Sequence, residues 1–227
     1  MGRDGSPAKR REEHFRVLGP QLGPLYSSLY DEITWLHAKW QQYRQLYATP
    51  ETVKLLNQIA GFFFRVVQDV LWEDLLLHIA RLIDQPKTKR AKENLTLLRL
   101  APGIDEPKLA REVRTLVKNV ERESAFAVDW RMRRLAHRDL ALALNERSAQ
   151  PLPGVSRERM KRALSAITLV MNKIEGHFWN SEVAFDYIIT QSDAETLTYY
   201  LRLAAKAHDQ RLEGLRQGRP LPEDLEP

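Results

Sequence analysis

Residues 49–84 read TPETVKLLNQIAGFFFRVVQDVLWEDLLLHIARLID. Thr49 followed by Pro50 is the pattern of a helix N-cap and of the first helical residue. Apolar residues then recur at steps of three and four as far as Leu82, which is the spacing of one face of an α-helix. Because this apolar face is broad, we expect the helix to lie at the centre of an all-α fold.

Four further helices are predicted around this one, because prolines divide the chain into long proline-free stretches of the same periodicity. One apolar stripe covers residues 25–47, and another covers residues 109–127. A fourth helix is expected to begin after Ser156 as its N-cap, and a fifth after either Ser192 or Asp193. The sequence therefore predicts an all-α bundle of four or five long helices.

The chain has 227 residues, which suits one sizeable domain. We expect a basic, flexible segment over residues 1–20, a single helical domain over 21–218 and an acidic tail over 219–227. The sequence holds no cysteine, and its apolar runs are far shorter than the ~20 residues that span a bilayer. We therefore expect a cytoplasmic protein that uses no disulfide and does not enter a membrane.

Positive charge is concentrated in two windows. The formal net charge is +5, yet residues 85–100 and residues 130–138 each carry +4, so the remainder of the chain is net negative. Such clusters favour a polyanionic partner, with solvated helix charges as the alternative interpretation.

Common catalytic and cofactor motifs are absent from the sequence. The six histidines are dispersed without an HExxH pair, and neither a phosphate-binding GxxxxGK[ST] loop nor a dinucleotide-binding GxGxxG loop occurs. We therefore expect no metal site and no cofactor. His78 falls on the apolar face of the second predicted helix and is expected to be a hydrogen-bonded core histidine.

One segment stands apart from this background. Residues 129–139 read DWRMRRLAHRD, in which Arg131 and His137 are separated by five residues. This pattern resembles the R-x4–6-H motif of the all-helical HEPN superfamily. The order of elements is similar to its abortive-infection AbiU-like branch, in which an apolar second helix has an end like residues 79–84 and is followed by a polar connection like residues 93–97.

The resemblance covers about residues 25–215 and implies a HEPN-like bundle with a basic connection between helices. It also implies metal-independent RNA cleavage in a phage-defence or toxin–antitoxin system, by a homodimer that a cognate antitoxin protein restrains. By this resemblance Arg131 stabilises the phosphate and His137 transfers protons, which suits a guanidinium and an imidazole. We expect Arg133, Arg134 and Asp139 to support these two residues. The two basic windows predict RNA-binding residues at Lys87, Lys89, Arg90, Lys92 and Arg138.

The geometry of the motif leaves two alternatives open. On an ideal helix, a separation of six residues places two side chains about 240° apart. Either the helix is broken within residues 132–136, where Met132 stands in place of the small polar residue usual in the family, or Arg133 or Arg134 acts instead of Arg131. The functional alternative to a nuclease is a non-catalytic helical module that binds RNA or protein through the same basic surface.

Overall fold

The structure is a computed structural model that describes residues 6–88, 91–136, 139–144, 146 and 149–219. Its α-helices are α1 (Pro7–Tyr47), α2 (Pro50–Leu82), α3 (Pro107–Trp130), α4 (Leu140–Ala143), α5 (Arg157–Trp179) and α6 (Ala194–Arg216). Two short 3₁₀ turns, Leu97–Arg99 and Ala101–Gly103, precede α3. Within the described ranges there is no β-strand, only an isolated bridge between Lys87 and Glu93. The prediction of an all-α fold is confirmed.

Three predicted helix starts are confirmed by their caps. The Thr49 hydroxyl accepts a hydrogen bond from the Thr52 amide at 3.2 Å, and the Ser156 hydroxyl accepts one from the Arg159 amide at 3.2 Å. Of the two candidates for the last helix, Asp193 is the N-cap, since its carboxylate accepts from the amides of the first turn. These side chains satisfy amides that have no partner inside their own helix.

Helix α1 begins at Pro7, well before the predicted start at residue 25. Gly19 interrupts it with φ of 75°, a left-handed conformation that favours glycine. Pro20 directly follows this break, where its missing amide costs no helical hydrogen bond. The prolines that suggested a boundary therefore begin the second part of a kinked helix, while His14 and Leu18 are buried in the first part.

The chain divides into two compact units. The first comprises Met1–Ala38 and Glu73–Tyr187, and the second comprises Lys39–Trp72 and Ile188–Pro227. In the first unit α3 packs along α5. The Tyr26 hydroxyl donates to the buried Glu175 carboxylate at 2.8 Å and joins α1 to α5. The side chains at this α3–α5 contact that are fully or almost fully buried include Val113, Val117, Val120, Met160, Leu164, Ile167 and Met171.

The second unit contains the last part of α1, the first part of α2 and all of α6. Its centre is aromatic, with Trp40 stacked on Tyr43 at 5.6 Å between ring centroids and the Tyr47 hydroxyl donating to the Phe64 carbonyl at 2.8 Å. On the same stretch of α2, however, Phe62 and Phe63 are 85% and 60% exposed. The prediction that this helix is central is therefore wrong for its first half.

In the first unit, by contrast, the end of α2 is buried at Leu75, Leu76 and Ile79. The apolar pattern is continuous along the helix, but in the part of α2 before Glu73 fewer apolar side chains are buried, among them Leu56 and Phe64. Among the described residues, no helix has the length and hydropathy of a membrane span.

Candidate functional site

The predicted motif lies where α3 ends. Here the backbone forms a π-helical turn over Arg131–Leu135, and the Ala136 amide donates to the Arg131 carbonyl at 2.8 Å. The helix thus departs from α-helical geometry in the segment where one of the two alternatives placed a break. Wide turns of this kind inside helices occur frequently at functional sites. His137 and Arg138 lie outside the described residues.

The side chain of Arg131 is held by an acidic residue from the end of α2. Its Nη1 lies 2.5 Å from Oδ1 of Asp84, and both side chains are about a third exposed, at 31% and 30%. Together they line a cavity of about 370 Å³. The other residues around this cavity are Glu32, His78, Arg81, Leu82, Asn94 and Leu95. We call this the Arg131 cavity.

His78 contributes a buried imidazole to the Arg131 cavity. Its side chain is 1% exposed, and its Nε2 lies 2.8 Å from Oε2 of Glu32, an ion-pair distance when the imidazole is protonated. The sequence predicted a buried histidine here but neither its acidic partner nor the cavity. The signal that could have indicated the cavity is the appearance of His78, Arg81 and Asp84 in an otherwise apolar helix end.

The other two arginines of the motif have different surroundings. Arg133 is 21% exposed and lies 3.4 Å from Asp129 and 3.9 Å from Asp139, and it also donates to the Gln150 carbonyl. Arg134 is 55% exposed; its guanidinium lies 5.4 Å from the Trp130 ring centroid and 3.6 Å from Glu73. Arg133 therefore ties the motif to the segment after α4, while Arg134 faces outward.

Asp139 is a capping residue in the structure. One of its carboxylate oxygens accepts from the Leu142 amide at 3.0 Å and begins the short helix α4. Its other oxygen is the one that faces Arg133. Asp139 therefore stabilises the end of the motif through its contacts with Arg133 and with the first turn of α4.

The basic connection after α2 returns to the Arg131 cavity. Asp84 at its start and Asn94 and Leu95 at its end line the cavity together with Arg131. Of the predicted RNA-binding residues, Lys87 is exposed and lies 3.4 Å from Glu93, and Lys92 is exposed. Lys89 and Arg90, like Arg138, lie outside the described residues. The structure thus places the described part of this connection beside the motif.

Apolar side chains around the motif are exposed, which the sequence did not predict. Met132 is 63% exposed, and Leu140 and Leu144 of the following turn are 70% and 62% exposed. Large apolar side chains grouped on a surface commonly mark a contact with another molecule. Among the described residues, no three His, Asp or Glu side chains are grouped as a metal site would require.

Comparison with known proteins gives one result. The family model HEPN_AbiU2, described as AbiU2, matches residues 20–197. No curated protein and no solved structure matches the chain. The matched span includes the end of α2, the basic connection and the π-helical turn, and therefore all the described residues of the candidate site.

Proposed function

This chain belongs to the AbiU2 family of HEPN domains, which implies a role in abortive-infection defence, and we propose that it acts there as a metal-independent endoribonuclease. The match over residues 20–197 confirms the resemblance to this family. The observation that supports the proposal best is that Arg131 lines a cavity and begins a π-helical turn, which ends two residues before His137.

The proposed reaction is attack of a ribose 2′-OH on the adjacent phosphorus, which breaks the P–O5′ bond, leaves a 2′,3′-cyclic phosphate and releases the 5′-oxygen as a hydroxyl. His137 transfers protons because imidazole is the side chain that titrates near neutral pH without perturbation. Arg131 supplies fixed positive charge to the phosphorane oxygens through hydrogen bonds that strengthen as charge develops. Asp84 positions that guanidinium, and the basic connection with Lys87, Lys89, Arg90 and Lys92, together with Arg138, binds the phosphates of neighbouring nucleotides.

A homodimer completes this proposal. Each chain offers one motif histidine, whereas proton transfer at both the attacking and the leaving oxygen commonly uses two groups. A twofold axis close to the motif would supply the second group from the other copy. The exposed side chains of Met132, Leu140 and Leu144 give this surface an apolar part that an interface would bury.

Cleavage of single-stranded RNA by the purified protein in excess EDTA tests the proposal. We expect products that end in a 2′,3′-cyclic phosphate, and we expect DNA to survive because it lacks the 2′-hydroxyl. His137→Ala should lower the cleavage rate by ~10²–10⁴, the range for loss of an acid or base. His208→Ala is the matched control, since His208 is exposed on α6.

A helical circular-dichroism spectrum unchanged by either substitution would show that both variants fold. Cleavage that survives His137→Ala at the wild-type rate would contradict the proposal.

A second candidate function is RNA binding without cleavage. The close pairing of Arg131 with Asp84 favours it, because a neutralised guanidinium offers less charge to a phosphorane. In that case the salt dependence of RNA binding would be the same as that expected of the nuclease, but RNAs of diverse sequence would remain intact. A small neighbouring gene for an antitoxin protein would favour the nuclease.

A further inference from the structure

A second pocket lies on the first unit, between α3 and the first turns of α5. It has a volume of about 320 Å³, near the lower limit for small-molecule pockets. Three guanidinium groups surround it, from Arg122 on α3 and from Arg159 and Arg162 on α5. We call it the three-arginine pocket.

One carboxylate faces these three cations. Glu123 lies 3.1 Å from Arg122 and 3.3 Å from Arg162, and it is the single acidic residue among the described residues that line the pocket. Arg159 donates to the Gly154 carbonyl at 2.8 Å, a neutral partner. The lining therefore carries an excess of two positive charges. The Arg131 cavity differs, since two carboxylates, Asp84 and Glu32, line it together with two arginines.

The remaining wall of the three-arginine pocket is apolar. Phe126 and Pro153 line it beside the arginines, and Phe126 is 6% exposed. A pocket that combines guanidinium groups with an aromatic and a proline surface suits a ligand with an anionic part and a flat, weakly polar part. A nucleotide has both, in its phosphate and its base.

The pocket is connected to the motif through one residue. The Trp130 indole N–H donates to the Pro153 carbonyl at 2.9 Å, and the guanidinium of Arg134 lies over the same indole. Phe126 precedes Arg131 by five residues, which on an ideal helix is a rise of about 7.5 Å and a rotation of about 140°. An RNA that reaches both must therefore pass around the helix end, where Trp130 and Arg134 lie.

We propose that the three-arginine pocket binds one nucleotide of a single-stranded RNA, to one side of the bond at the motif. Its arginines hold the phosphate while Phe126 and Pro153 contact the base or ribose. This inference rests on the proposed function for the identity of the ligand, but it concerns binding rather than chemistry.

The test uses binding of the full chain to a fluorescent single-stranded RNA in which every 2′-hydroxyl is methylated, so that it cannot be cleaved. We expect Arg159→Ala combined with Arg162→Ala to weaken binding about tenfold, since two charge-assisted contacts are lost. The slope of log affinity against log salt should fall by about 0.7 for each lost phosphate contact. Glu123→Gln should change affinity in the opposite direction, because it removes the competing carboxylate.

Arg114→Ala is the matched control, since Arg114 is exposed on α3 and does not line the pocket. It removes one positive charge, as each single substitution of the double variant does, and should leave affinity within about twofold. If the double variant keeps wild-type affinity and an unchanged salt slope, the proposal that the three-arginine pocket binds RNA is overturned, even if ordinary RNA is cleaved. If binding depends on the pocket while ordinary RNA stays intact, the RNA-binding role of the pocket is supported and the proposed nuclease activity is overturned.

Discussion

Arg131 is held by Asp84 through one ion pair at 2.5 Å, and a guanidinium has five N–H donors. Asp84 is the one ion-pair partner of Arg131 among the described residues, so the other donors can bind a phosphate that enters the Arg131 cavity. Arg133, by contrast, already faces Asp129, Asp139 and the Gln150 carbonyl. The three arginines of the motif are thus expected to have separable roles, with Arg131 at the phosphate and Arg133 in the local structure.

Single substitutions test this separation. Arg131→Ala should lower kcat/KM for RNA by ~10²–10³, the cost of losing one donor to a developing charge. Arg131→Lys should not restore it, since an ammonium cannot make the same bidentate contact. Asp84→Asn should have a smaller effect of about tenfold, because it loosens the guanidinium without removing it.

Arg133→Ala is the internal comparison. It should lower the free energy of unfolding by about 1 kcal/mol, because hydrogen bonds are lost. Its effect on the rate of cleavage should be smaller than that of Arg131→Ala. Steady-state cleavage kinetics and thermal unfolding measure the two effects separately. A loss of activity in Arg133→Ala larger than that in Arg131→Ala would reverse the assignment.

At the scale of elements, Asp193 is the N-cap that begins α6. Burial raises the pKa of its carboxyl, but hydrogen bonds from the Gln45 side chain and from Thr196 and Glu195 outweigh that effect and leave the pKa below its ordinary value. The carboxylate form is therefore favoured in the folded protein. Its contribution to stability is present above the unfolded pKa of about 3.9 and is lost as the pH falls through the lower folded pKa.

Two substitutions separate the cap from its charge. Asp193→Ala should lower the free energy of unfolding by about 1 kcal/mol at neutral pH, the usual cost of a lost N-cap. Asp193→Asn keeps a capping side chain, so at neutral pH it should lose less free energy of unfolding than Asp193→Ala does. When the medium is acidified below about pH 4, the Asp193→Asn protein should lose less stability than the wild type does. Thermal unfolding at the two pH values measures this, and Asp209→Asn on the exposed part of α6 is the control. Equal acid dependence in Asp193→Asn and wild type would contradict the predicted role of the charge.

The starts of α2, α5 and α6 could be predicted from sequence because a cap side chain bonds to an amide within three residues. The kinked start of α1 could not, since it depends on how Gly19 and Pro20 combine. The Arg131 cavity could not be predicted from sequence, because Glu32, His78 and Asp84 come from parts of the chain that precede the motif by many residues. The spacing of Arg131 and His137 did indicate a departure from α-helix, and the π-helical turn is the form that it takes.

At the scale of the whole molecule, all the described parts of the candidate site belong to the first of the two units. The Arg131 cavity, the three-arginine pocket and the exposed Met132, Leu140 and Leu144 all fall within Met1–Ala38 and Glu73–Tyr187. A twofold contact made through the three apolar residues would bring the motifs of two copies together. In such a contact each substitution is present twice, so a new charge on one copy faces its equivalent on the other.

Met132→Glu combined with Leu140→Glu should convert a homodimer into a monomer, since burying like charges across a twofold axis costs several kcal/mol. Light scattering after size-exclusion chromatography measures the change, and RNA cleavage should fall with it by at least about tenfold. Leu169→Glu is the control, because Leu169 is 53% exposed on α5 and lies outside residues 131–144. A wild-type protein that is monomeric at high micromolar concentration, with and without RNA, would exclude the dimer, and a double variant that stays dimeric would place the interface elsewhere.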